Sequence, residues 1–306
     1  MVPRFSVFMP FRMLPRSDAK SPDTDQHQFL WNQTCRSCIG QVEVQDTRRQ
    51  EQGTAMINQH SPFARKLASF IALTLPETNA LDALHGRRKN YTAGRDLVLQ
   101  GQPNQQAYIL AEGWTCSYRL LASGIRQIVD FHIPGDFPGM RSVLCRTAGV
   151  SIEALTKVQA SPMGAHDLTE VFARTPRLGT AFMWAASRDD AMVVEHLVGV
   201  GRRNAVERTA HLLLELGARL ALVGMGTKAG YACPLSQYLL ADALGLSAVH
   251  VNRVLRELRE DGLVVFRNGR VEFTDFAGLV ELSDFDMDYL DHEGPLYKTM
   301  PSVMAA

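Results

Sequence analysis

No excess of either charge marks this chain: 32 Lys and Arg stand against 32 Asp and Glu. No global positive field therefore announces a nucleic acid, and any such binding must come from a local patch. Long apolar runs are missing as well. Uncharged stretches such as Ala229 to Ala241 fall short of the roughly 18 apolar residues that a membrane-spanning helix needs. Cysteine is scarce, and five is an odd number in 306 residues, which argues against a disulfide framework and for a reducing compartment. Near the N-terminus, Pro3, Pro10 and Pro15 with Arg4 and Arg12 interrupt the continuous apolar core of a secretion signal. The expectation is a cytoplasmic protein without a membrane partner. What is present, 46% hydrophobic against 21% charged residues, is enough apolar material for sizeable cores and excludes wholesale disorder. The length suits two compact domains.

Residues 1–60 carry scattered Pro, Ser and Thr, eight glutamines between Gln26 and Gln59, and no sustained apolar period; this predicts a flexible extension. Met56 lies just before the first periodic segment, Phe63 to Ile71, so a translation start upstream of the native one stays open as an alternative. Within 61–175 the texture turns to short alternating runs such as Asp96–Leu99, Tyr108–Leu110 and Gln127–Ile133, which predict strands. Gly94, Gly101, Gly113, Gly124 and Gly135 punctuate them at a spacing suited to tight turns of an antiparallel sandwich or barrel.

After Thr175-Pro176 a helical pattern runs from Arg177 through Arg203 without proline, about 40 Å of helix at 1.5 Å per residue. Phe182, Ala185, Met192, His196 and Gly199 fall on one seven-residue seam, with Asp189 as an exception; this predicts a two-chain contact, against the alternative that the helix packs on its own β domain. A second amphipathic helix spans 204–222 and ends at Gly224 and Gly226. The remainder to 282 reads as a small unit, and 283–306, rich in Asp284, Asp286, Asp288, Asp291 and Glu293, as a solvated acidic tail.

Leu235 to Leu258 carries the most informative spacing. Ala241 is small where two helices cross, Gly245 supplies a turn four residues later, Ser247 stands at an N-cap, and Val251 and Val254 pack the second helix on the first; this is the pattern of a helix-turn-helix. In that second helix Val251, Val254, Leu255 and Leu258 turn inward, leaving Ala248, Val249, His250, Asn252, Arg253 and Arg256 outward, a face that offers donors for base edges and phosphates. Asn268-Gly269 between two short apolar runs predicts a hairpin, the wing of a winged helix. Helix, turn, recognition helix and wing in order point to double-stranded DNA as the partner.

On these residues the chain resembles the Crp/Fnr family of bacterial transcription regulators over about residues 65–282. Gly94-Arg95-Asp96-Leu97 with Gly101-Gln102, Ile109 to Trp114, and Pro134-Gly135-Asp136-Phe137 look like that family's sensor β-roll. Arg202 to Arg208 followed by Leu212-Leu213-Leu214 looks like its junction between dimer helix and DNA domain. Leu244 to Arg253 is the specific part. The resemblance implies an α+β chain: an antiparallel β-roll, a dimerisation helix over 176–203 and a winged helix-turn-helix over 204–282. It further implies a homodimer on a near-palindromic operator, with RNA polymerase as a further partner. Arg253 matches the arginine that reads a guanine in the family, while the family's glutamate four residues earlier is Val249 here; a different base is expected at that step.

The resemblance leaves the signal unassigned and predicts no cofactor. Members that bind cyclic AMP hold its ribose and phosphate with a Glu after the Gly-Asp-Phe turn and an Arg-Ser pair; here these positions are Met140 and Val150-Ser151, with Arg141 and Arg146 displaced nearby. Cyclic nucleotide is disfavoured because a buried phosphate would lack its cation. Cys35-Arg36-Ser37-Cys38 has the spacing of part of an iron–sulfur site. The third N-terminal cysteine is absent, however, and the family's β-roll cysteine is Ser161, so a cluster is also disfavoured. Haem stays open through His85, His132, His166 or His196, as does thiol oxidation at Cys116 or Cys145. Two rivals are a metal-dependent cupin-like barrel enzyme, for which no His-x-His pair and no motif-level triad is present, and a DNA-binding dimer controlled by protein contacts alone.

Overall fold

The computed structural model describes residues 61–290; the N-terminal extension, Met56, Cys35-Cys38 and the end of the acidic tail lie outside the described residues. Two short helices lead in. Ser61 accepts a hydrogen bond from the Ala64 amide at 3.2 Å to cap α1 (Pro62–Ala68), whose Pro occupies the first turn, where no amide donor is needed. In α2 (Leu75–His85) the Glu77 carboxylate accepts from the Thr74 amide at 2.7 Å.

Seven strands then build two antiparallel sheets: β1 (Lys89–Tyr91), β2 (Asp96–Val98), β3 (Ala107–Glu112), β4 (Thr115–Leu120), β5 (Arg126–His132), β6 (Ser151–Ala154) and β7 (Val158–Met163). One sheet has the order β1-β7-β3 and the other β2-β6-β4-β5. Val98, Leu110, Ile152, Ala154, Val158 and Ala160 fill the space between them, as inward-facing residues of a sandwich must. All five turn glycines named from the sequence adopt positive φ. At Gly113 the requirement is strict, because a Cβ there would collide with the Lys157 carbonyl oxygen. Between β5 and β6 lies the short α3 (Met140–Leu144), and α4 (Ala165–Arg174) follows β7.

The long helix α5 (Pro176–Arg202) forms as expected, but the seam assigned to it is corrected. Phe182, Ala185 and Met192 are 0%, 1% and 2% exposed, and Gly199 is buried too. Phe182 and Ala185 pack with Phe63, Leu67, Ile109 and Phe137 of their own chain, and Met192 with Ile128, Phe131 and Leu212. Asp189 is the exception on that face because it pairs with buried Lys66 at 3.3 Å. The opposite face is bare: Met183, Ser187, Asp190, Val194, Leu197 and Gly201 are exposed and alternate four and three residues apart, the spacing of a coiled-coil seam. Both faces of α5 carry apolar residues, and tertiary packing decides which of them turns inward.

Asn204 caps α6 (Ala205–Leu222), accepting from the Val206 and Glu207 amides. Beyond it, β8 (Gly226–Thr227), β9 (Gly230–Ala232), β10 (Val264–Arg267) and β11 (Arg270–Phe273) make a four-stranded sheet of order β10-β11-β9-β8. Its wing strands carry the expected Asn268-Gly269 turn, with φ of 52° and 71°, as a type I′ hairpin requires. Between β9 and β10 stand α7 (Gln237–Leu244) and α8 (Ala248–Glu260), and α9 (Phe276–Ser283) closes the unit.

The acidic segment is a second correction. Phe285 and Leu290 are 4% and 3% exposed, the Tyr289 hydroxyl donates to Glu215 at 2.9 Å, and the His211 ring stacks on Tyr289. The apolar residues between the aspartates anchor 284–290 to α6, a burial that counting charges does not register.

Candidate nucleic-acid interface

Gly245 ends α7 in the left-handed region, φ 63°, and the Leu246 amide reaches back to the Ala241 carbonyl at 3.1 Å, closing the turn in the manner of a Schellman cap. Ser247 then caps α8, accepting from the His250 amide at 3.2 Å. Val251, Val254, Leu255 and Leu258 are all buried against α6 and α7. With that face fixed, Ser247, Val249, Asn252, Arg253 and Arg256 are exposed. Two members of the expected outward set differ: Ala248 and His250 are only half-exposed, and Ala248 packs on the core. Among the described residues no salt bridge engages Arg253 or Arg256, so both guanidinium groups are free for an external anion or base edge. The sequence reading missed Gln237, whose Oε1 accepts from Asn252 Nδ2 at 3.1 Å and holds that side chain from the first helix.

The helix pair is joined to the β-roll. Arg126 of β5 donates to Asp242 of α7 at 2.7 Å and to Glu153 of β6 at 2.8 Å, while Gln127 Nε2 donates to the carbonyls of Ile128 and Ala243 at 2.9 and 3.0 Å. Below this contact lies His196, held neutral by its burial, which lowers its pKa. Trp114, Cys116, Ile128, Phe131 and Ile133 of the roll belong to the same apolar cluster as Leu240 and Leu244 of α7.

A buried polar network runs beneath the junction. Arg219 of α6 donates to Asp130 at 3.1 Å, Asp136 at 2.7 Å, the Phe131 carbonyl at 2.7 Å and Glu215 at 3.3 Å. Lys66 donates to Asp136 at 2.8 Å. Burial alone would raise the Asp136 pKa, but Lys66 and Arg219 overcome it and hold the carboxylate well below its usual range. Glu215 gains less from Arg219, and burial pushes it up to about 7. His211 is pushed down to about 4, by burial first and then by Arg203 and His196. Ser117, His132 and Asp130 are joined at 2.7 and 3.2 Å, in the order of a hydrolytic triad that no sequence motif announces. All three are nearly buried, Asp130 is already engaged by Arg219, and neither cavity at the junction is lined by Ser117. Through Asp130 the trio is joined to the Arg219 network.

The other sequence-level candidates scatter. Met140 lies in α3, packed against the apolar cluster of α1 and α5, and the Ser151 hydroxyl accepts from the Gln100 amide at 3.1 Å. Arg141 is exposed and pairs with Asp190 at 3.0 Å. The two positions compared with the family's carboxylate and arginine are thus occupied by the uncharged Met140 and Val150. Cys116 is fully buried and its thiol is pushed up to about 12, chiefly by burial, which removes it as a reactive thiolate; Cys145 is exposed. His85 bonds Ser61 at 2.6 Å and His166 is exposed. No helix among the described residues is long and apolar enough to cross a membrane.

Comparison with known proteins gives two family matches, a "Crp-like helix-turn-helix domain" over residues 207–282 and a "Cyclic nucleotide-binding domain" over residues 88–175. The chain is 32% identical over 180 residues to the nitrogen fixation regulation protein FixK of Rhizobium meliloti, covering 59% of this chain and 79% of that one. It is 30% identical over 198 residues to the FixK protein of Bradyrhizobium diazoefficiens, covering 65% and 82%. Among solved structures, FixK2 from Bradyrhizobium japonicum has the same fold, with a TM-score of 0.58 at 24% identity over 64% of this chain and 96% of that one.

Proposed function

The chain belongs to the Crp/Fnr family of DNA-binding transcription regulators, and from that premise we propose that it acts as a cytoplasmic homodimer that lays two copies of α8 on a near-palindromic operator and acts on RNA polymerase. The observation that carries the DNA reading is the exposed stripe of Asn252, Arg253 and Arg256, with no carboxylate occupying either arginine. Arg253 reads a base, Asn252 and Arg256 contact bases or phosphates, His250 contributes from its half-exposed position, and Ser247 and Ala248 approach the backbone at the start of the helix. Support for the dimer comes from the bare face of α5, where Val194 and Leu197 are 53% and 70% exposed. Arg141 beside Asp190 offsets the one charge that two such faces would bring together. The regulator works without catalysis, and its signal is something other than a cyclic nucleotide held through the family's carboxylate and arginine.

Selection of duplexes from a random library by the full chain, at fixed salt, tests this reading. The expected product is a two-fold palindrome whose half-sites lie about one helical turn apart. Arg253→Ala is expected to lose about 1–3 kcal/mol on it and to relax one symmetric position. Equal affinity of variant and wild type would remove Arg253 from base reading.

A further inference from the structure

Val249 is 81% exposed, the most exposed large apolar side chain among the described residues, and none of the apolar clusters includes it. It belongs to the first turn of α8, two residues after the Ser247 cap. Asn252, Arg253 and Arg256 follow it at three, four and seven residues on the same exposed stripe. Every other side chain of that stripe can form hydrogen bonds, and Val249 can form none.

That contrast restricts what it can recognise. An aliphatic side chain has nothing to offer the N4 amine of cytosine or the O6 of guanine, and the apolar feature displayed in the major groove is the thymine 5-methyl. Valine is stiff at χ1 in a helix, so its two methyls point in one direction before any DNA arrives. Residues at the N-terminal end of a recognition helix are the ones that meet base edges. Arg253 is one turn further along, about 6 Å at 1.5 Å per residue, against about 3.4 Å per base step. Resting on the DNA-reading function above, we propose that Val249 is a specificity-determining residue that packs against a thymine 5-methyl in each half-site, within about two base steps of the guanine read by Arg253.

The test starts from the operator selected by the full chain. Each symmetric pair of thymines is replaced by deoxyuridine, which deletes only the 5-methyl, and the dissociation constants of wild type and Val249→Ala are measured at fixed salt. One pair is expected to weaken the wild type by about fourfold per half-site, the worth of one buried carbon, and to leave Val249→Ala unaffected. An operator that tolerates deoxyuridine at every position, or a loss equal in both proteins, overturns the thymine assignment while leaving DNA reading intact. Failure to enrich any duplex overturns the DNA reading itself, and the assignment with it. Val249 is exposed and covers nothing, so the alanine variant is expected to melt with the wild type, and a shared melting temperature verifies that the comparison concerns recognition.

Discussion

Arg219 meets four acceptors from one position in α6, two of them the carboxylates of Asp130 and Asp136 in the β-roll, at 3% side-chain exposure. Removing it strands those carboxylates in the interior, where water cannot replace the lost donor. Arg219→Ala is therefore expected to lower unfolding free energy by about 3–5 kcal/mol, read from urea titration followed by tryptophan fluorescence. A loss under about 1 kcal/mol would mean that the network is hydrated and contributes little. Residues at this scale were unevenly legible in the sequence. Gly245, Ser247 and the inward valines of α8 could be read because their roles are set by neighbours within a few positions. The partners of Arg219 are scattered from Lys66, through its shared Asp136, to Glu215, and Tyr289 joins them through Glu215. No local spacing encodes such a set, so the network becomes visible only when the chain is folded. The same holds for Gln237, whose support of Asn252 crosses from one helix to the next.

Among the elements, α5 shows where periodicity stops being sufficient. Its length was legible from the absence of proline, and so was the existence of an apolar seam. Two seams coexist, however, one through Phe182 and Met192 and the other through Met183 and Leu197, and a seven-residue period fits both. The choice is made by what the β-roll presents to the helix. The two faces are expected to respond differently to the same chemical change. Leu197→Asp places a charge on the bare seam and should convert a dimer to a monomer in sedimentation while leaving the melting temperature of the fold nearly unchanged. Met192→Asp forces a carboxylate among Ile128, Phe131 and Leu212 and should cost about 4 kcal/mol or more in stability. Dissociation by the second substitution without loss of stability would restore the inner seam as the interface. The sheet strand β8 and the helix α9 went unread for a simpler reason: β8 is two residues long, and α9 follows the wing without a break in texture.

For the molecule as a whole, acid response should be muted across a defined window. Glu215 is raised from 4.5 to about 7 in the folded state, so the native protein binds more protons than the unfolded chain between those values, and stability falls as pH rises there. His211 is lowered from 6.5 to about 4, so the unfolded chain binds more protons and stability rises with pH over nearly the same range. The two slopes oppose each other between about 4.5 and 6.5. Glu215→Gln removes one of them, and the variant's melting temperature is expected to climb from about pH 4 to 6.5 more steeply than that of the wild type; parallel profiles would place the Glu215 proton elsewhere. The architecture was legible at this scale because order and motifs agree along the chain, whereas the closeness of roll and DNA unit was not. Arg126 and Gln127 fasten β5 to the very helix whose turn aims α8. A contact shared in this way offers a physical route by which the roll and the DNA unit could be coupled. Under the proposed function, any factor that a signal bound at the roll imposed on operator affinity would be returned by the operator to the signal's own affinity, and promoter occupancy would then set how sensitively the protein senses.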